Sequence, residues 1–317
     1  MPLLDPVLLF FLLGLGAGLL RSALRLPGAV YELLSMILLL AIGLKGGVEL
    51  ARQPLGPLLP QALTVVAMGS LLTLAAFPVL RCAGRLPRAD AAAIAAHYGS
   101  VSVATFAVAS TWFATRGIDF EAQLPFLLAV LEIPAILVGI ALARVGGPQA
   151  LRLGPMLHEV FLGKGIVLLI GGLLIGWWSG PDGVAPLKPL FFDLFKGILA
   201  LFLLEMGLIT AAQFPSLRQH GLFLVLFGIG MPLFSALVGL TLGLALGFSV
   251  GGTAMLAILA ASASYIAVPA AMRISVPAAN PTLSLAAALG VTFPFNVLIG
   301  IPLYHAMAVR AHHLIHA

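Results

Sequence analysis

At 317 residues, 61% hydrophobic and only 9% charged, the chain excludes a water-soluble globular protein, whose charged share is nearer ~25%. Its mean hydropathy of +1.15 marks a polytopic membrane protein, and no polar stretch is long enough for a soluble domain. The net charge of +5 comes from loop arginines that report orientation in a bilayer rather than nucleic-acid binding, and the lone cysteine, Cys82, excludes an intramolecular disulfide and a cysteine-based metal cluster.

Apolar runs bounded by proline, glycine or charge predict an all-α protein of ten transmembrane helices, each near the ~20 residues a bilayer requires. They lie at 7–24, 29–50, 57–82, 90–115, 121–144, 158–179, 188–213, 221–246, 250–273 and 281–308. The first has no cationic lead and no small-residue cleavage site, so it reads as a retained span rather than a signal peptide. The second carries Lys45 within Gly43-Leu44-Lys45-Gly46-Gly47. The fourth contains His97 and the tract Gly99-Ser100-Val101-Ser102-Val103-Ala104-Thr105; the fifth contains Glu132, two residues before Pro134. The seventh carries Glu205 before Met206-Gly207, and the ninth carries Ser262-Ala263-Ser264-Tyr265, followed by Pro269. The tenth begins at Asn280-Pro281, where Asn280 either caps the helix or reaches the second tract.

Arginines 21, 25, 81, 85, 88, 144, 152, 218 and 273 fall in alternate loops, while Arg52, Arg116, Lys188 and Arg310 on the other side are offset by Asp119, Glu121 and Asp182. The bias places both termini outside the cytoplasm, with Trp112, Trp177 and Trp178 at outer helix ends. His312, His313 and His316 read as solvated tail residues rather than a metal tract.

The two halves correspond. Lys45 and Glu205 are 160 positions apart, Ser100 and Ser102 precede Ser262 and Ser264 by 162, and Pro134 precedes Pro294 by 160. The expected domains are a first five-helix repeat over 1–150 and a second over 151–317. Five spans per repeat is an odd number, so the second copy enters the membrane inverted, the architecture of alternating-access carriers. Small residues and hydroxyls then break the fourth and ninth helices, aided by Gly99 and Pro269. The half-helix N-termini that result favour an anion. Gly99, Ser100, Ser102, Thr105, Ser262, Ser264 and Tyr265 are the candidate substrate contacts. Hydroxyls and free carbonyls also suit a hard cation, which makes Ser102, Thr105, Glu132, Ser264 and Asn280 the candidate sodium ligands. The competing reading is that the tracts merely pack helices. Glu132 either ligates sodium, carries a proton or pairs with an arginine. Lys45 and Glu205 pair with each other or line a gate; His97 is a hydrogen-bonded structural residue or a proton relay.

On Gly43–Gly47, the serine tract at 99–105, Glu132-Ile133-Pro134, Met206-Gly207 and the stretch from Ala260-Ala261-Ser262-Ala263-Ser264 through Arg273 to Val276-Pro277-Ala278-Ala279-Asn280-Pro281, the chain resembles the sodium-dependent bicarbonate transporter family known from cyanobacteria. The resemblance implies core and gate domains, crossing broken helices 4 and 9, elevator-like motion, a homotrimer in a bacterial inner membrane, and bicarbonate uptake with sodium as the coupling ion and no other cofactor. Two departures stand out. Tyr265 occupies a position where the cyanobacterial members have an aspartate, and the link between the fifth and sixth spans, 143–157, is too short for the insertion that a soluble regulatory partner uses in them. The alternative is a sodium- or proton-coupled carrier of another small anion such as a carboxylate. A non-transporting sensor or a membrane enzyme ranks below both: His158-Glu159 lacks the second histidine of a zinc motif, and a Ser100–His97 contact has no third orienting group.

Overall fold

The computed structural model describes residues 6–52, 56–145, 158 and 161–316. Arg152, Glu159 and the expected boundary at 150/151 lie outside the described residues, as does most of the short link; so do the side chains of Arg218 and His316. Among the described residues the chain is helical and has no strand.

Eight helices are long and apolar enough to cross a membrane, which marks an integral membrane protein. In chain order the elements are α1 (Pro6–Leu19), α2 (Gly28–Leu50), α3 (Leu58–Ala83), α4 (Arg88–Gly99), α5 (Val103–Ala114), α6 (Leu124–Leu131), α7 (Pro134–Arg144) and α8 (Lys164–Leu187). They continue as α9 (Phe195–Pro215), α10 (Gly221–Ala245), α11 (Val250–Ala261), α12 (Ala267–Ser275) and α13 (Pro281–Ile315). Helix α1 has only 14 residues, about 21 Å of rise, because the chain turns at Arg21 with φ 56°. Between α9 and α10 it turns at Gly221, φ 79°, a left-handed angle that favours glycine.

Glycines set the closest helix contacts. A methyl added at Gly14 of α1 would overlap the Leu204 carbonyl of α9, and one at Gly207 of α9 would overlap the Phe11 carbonyl of α1. Likewise Gly176 of α8 lies on the Leu44 carbonyl of α2, and Gly47 of α2 on the Leu173 carbonyl of α8. Shifting Gly14 and Phe11 forward by 162 positions, and Leu44 and Gly47 forward by 160, converts each contact of one pair into a contact of the other. Two repeats related by a two-fold axis would exchange partners in this way.

Two acidic side chains fasten the ends of the broken helices. The Asp90 carboxylate at the start of α4 accepts the Asn280 N–H, 2.6 Å away. The Glu121 carboxylate accepts the Ser249 N–H and, at 3.3 Å, the Ser249 hydroxyl at the start of α11. Lys45 and Glu205 do not pair. Among the described residues the ion pairs are Arg52–Glu49 and Lys164–Glu32, Lys45 is exposed, and Glu205 Oε2 is buried without a hydrogen bond.

Candidate functional site

The two serine tracts are the two breaks. Helix α4 ends at Gly99, Ser100 is extended (φ −94°, ψ −173°), and α5 starts after Ser102. Gly99 serves close approach rather than an unusual backbone angle: a Cβ there would overlap the Thr73 hydroxyl on α3. Helix α11 ends at Ala261, Ser262 is extended (φ −82°, ψ 161°), and α12 starts at Ala267. Pro269 sits in the first turn of α12, where a missing N–H leaves no bond unmade. It therefore starts the second half-helix instead of breaking the first.

The breaks cross and hold each other. The Ser264 N–H donates to the His97 carbonyl at 2.9 Å. The position equivalent to Ser264 in the first half is Ser102, and the equivalent of His97 is Leu259. There the same link is relayed: Ser102 N–H donates to Ser262 Oγ at 2.9 Å, which donates to the Leu259 carbonyl at 2.8 Å. His97 Nδ1 also bonds the Ser264 carbonyl. A carbonyl only accepts, so Nδ1 carries the proton. His97 is hydrogen-bonded, as its structural reading expects, and it joins α4 to the second break. Ser100 does not meet it; its hydroxyl donates to the Glu132 carbonyl at 3.4 Å.

Ser102 Oγ caps α5, accepting the Thr105 N–H at 3.1 Å and the Thr105 hydroxyl at 3.0 Å. Ser264 Oγ, two residues before the Ile266 N-cap of α12, accepts the Val268 N–H at 3.4 Å. Tyr265 packs edge-on against Phe293 with ring centroids 5.5 Å apart, and its buried hydroxyl lies beside Ser102 without hydrogen-bond geometry. Val103 and Ala104 at the start of α5, and Ile266 just before α12, line one cleft together with Ser35, Leu38 and Leu39 of α2 and Phe202 of α9. Both half-helix N-termini therefore face α2 and α9. The cleft is narrow: it holds about 10 Å³, no more than about one water.

Glu132 lies where the fifth span breaks between α6 and α7, a break that Pro134 imposes by lacking an N–H. It is 3% exposed, and its Oε2 has no hydrogen-bond partner. A buried carboxylate left this way is costly unless a cation or proton meets it. Asn280 is not brought to the crossing: its side chain accepts the Thr282 N–H and caps α13, and its backbone N–H goes to Asp90.

The reading of the sequence missed a supporting set on α13. Asn296 Nδ2 donates to the Ala261 carbonyl at 2.8 Å, an acceptor that the second break frees, and Tyr304 Oη donates to Asn296 Oδ1 at 2.9 Å. Thr292 donates to the Gly228 carbonyl at 2.7 Å, so the Tyr98 hydroxyl 2.7 Å from Thr292 Oγ1 is the donor to it. An asparagine inside an apolar span was the available signal.

Against models of known families, residues 6–309 match the Na+-dependent bicarbonate transporter superfamily. No curated protein matches the chain.

Proposed function

Because the chain belongs to the Na+-dependent bicarbonate transporter superfamily, we propose that it is a sodium-coupled symporter that imports bicarbonate by elevator-type alternating access. In this reading ten spans form two inverted five-helix repeats, and the protein is a homotrimer in a bacterial inner membrane with both termini outside. The exchanged glycine contacts of α1–α9 and α2–α8 support the repeat. The exposed Trp177 and Trp178 late in α8 support an outer interface there.

One observation carries the substrate site: the N-termini of α5 and α12 face the same cleft, and the equivalent Ser102 and Ser264 each accept an N–H from the first turn of the half-helix that follows. Two positive helix ends and two hydroxyls suit one small anion. Sodium beside Glu132 offsets that charge in a medium of low dielectric. The loaded core then crosses with less exposed charge than the anion alone would carry.

The test is uptake of labelled bicarbonate into proteoliposomes with and without an inward sodium gradient. Uptake that requires the gradient supports symport. No uptake under either condition, with verified folded protein, removes the bicarbonate assignment; uptake indifferent to sodium removes the coupling.

Glu132→Gln keeps the shape of the side chain and deletes its charge. It is expected to raise the half-saturating sodium concentration by about tenfold, the equivalent of ~1.4 kcal/mol of ion binding, with size-exclusion behaviour unchanged. A sodium titration that superimposes on wild type would make Glu132 structural.

A further inference from the structure

A second cavity, of about 230 Å³, is bounded by His97, whose ring bonds the Ser264 carbonyl. His97, Pro269, Arg273, Ala279 and Ser284 line it. It sits among α4, α12 and the start of α13, at the end of the molecule where Arg88 and Arg144 also lie. The charged groups there differ in what they already bond. Arg88 donates to the Leu142 carbonyl and Arg144 to the Ser275 carbonyl. Asp90 accepts the Asn280 N–H. Arg273 is exposed and has no hydrogen bond or ion pair among the described residues. Ser284 is 2% exposed, and its hydroxyl has no partner. The lining of the cavity thus contains an unpartnered hydroxyl and a free guanidinium, two donors without an acceptor.

We propose that this cavity is an anteroom for a small oxyanion, held by the Arg273 guanidinium at its mouth and the Ser284 hydroxyl in its wall. The planar guanidinium fork matches two oxygens of such an anion. His97 forms the floor: with its proton on Nδ1, its other ring nitrogen is an acceptor and offers the anion nothing. At about 230 Å³ the space is larger than one small anion fills, so water shares it with the occupant. Bicarbonate as the occupant rests on the transport reading above; the preference of the cavity for anions does not.

The test uses the full chain in membranes with the exposed native thiol removed, Cys82→Ser, and one cysteine placed in the cavity, Ala279→Cys or, should that variant not fold, Pro277→Cys, both positions in its lining. Rates of modification by an anionic and a cationic methanethiosulfonate are compared. The anionic reagent is expected to react about tenfold faster, since a charged concavity concentrates counter-ions at least that much. Adding Arg273→Gln is expected to bring the two rates together. Nitrate or bicarbonate at millimolar concentration is expected to slow the anionic reagent, and Arg273→Gln to abolish the protection. Equal rates for the two reagents, a ratio that survives Arg273→Gln, or no protection by either anion would overturn the anteroom. Protection by nitrate and not bicarbonate keeps the anteroom and counts against bicarbonate as the cargo.

Discussion

Gly14→Ala is expected to collapse the yield of folded protein, while Gly16→Ala, two positions along the same helix, leaves it unchanged or slightly improved. The added methyl at Gly14 meets the Leu204 carbonyl of the facing helix, and backbone cannot rotate out of the way as a side chain can. Overpacking a close contact costs ~1–3 kcal/mol, and occasionally more; about 3 kcal/mol is more than a hundredfold in the folded-to-unfolded ratio. At Gly16 nothing lies within 4 Å of the added methyl, so alanine brings only its better helix propensity, up to about 1 kcal/mol. Gly176→Ala, the counterpart of Gly14→Ala in the other half, is expected to fail in the same way against Leu44. Thermal melts in detergent, read by size exclusion, decide it. Equal melting for Gly14→Ala and Gly16→Ala would mean that α1 does not pack on α9 as described, and the exchange of partners between the halves would lose its support.

That exchange was only partly legible in the sequence. Regularly spaced landmarks such as Lys45 and Glu205 suggested a duplication, but of the two roles open to those charges, a mutual pair or a gate lining, the pair is not formed among the described residues. In a bilayer both the lipid-facing and the protein-facing sides of a helix are apolar, so hydropathy locates spans without revealing which face of α2 meets α8. Lys45 is exposed, and Gly47 makes the contact. The two breaks were legible, because hydroxyls grouped with small residues stand out against leucine and alanine. What the hydroxyls bond was not: Ser262 relays between Ser102 and Leu259, a choice made by the other half of the chain. The break at Glu132 shows the same limit. Pro134 announced a disturbance, and the orphaned Oε2 depends on what surrounds it. Asn280 read equally well as a cap or a ligand. The structure gives it the cap, since Asp90 holds its backbone at the end of α4.

The serines themselves separate transport from packing. Ser102→Ala combined with Ser264→Ala is expected to raise the half-saturating bicarbonate concentration about a hundredfold. A hydrogen bond to a charged group contributes ~1.5–3 kcal/mol, and two such bonds at the lower figure together make about 3 kcal/mol, near two powers of ten in affinity. Stability should respond differently at each site. Ser102 caps α5 with normal geometry at 3.1 Å, and losing a cap costs ~1 kcal/mol. Ser264 is not the cap of α12 and accepts the Val268 N–H only through a 3.4 Å contact, so its removal should hardly move the melting temperature while weakening substrate affinity. Ser262→Ala should behave in the opposite sense, because it strands the buried Ser102 N–H, while the Leu259 carbonyl keeps the backbone N–H of residue 262 at 3.1 Å. A stranded buried donor costs ~1–3 kcal/mol, and melting and flux should fall in step. If Ser264→Ala instead lowers melting as much as Ser262→Ala does, the second tract is a packing element, and the anion must bind away from the crossing.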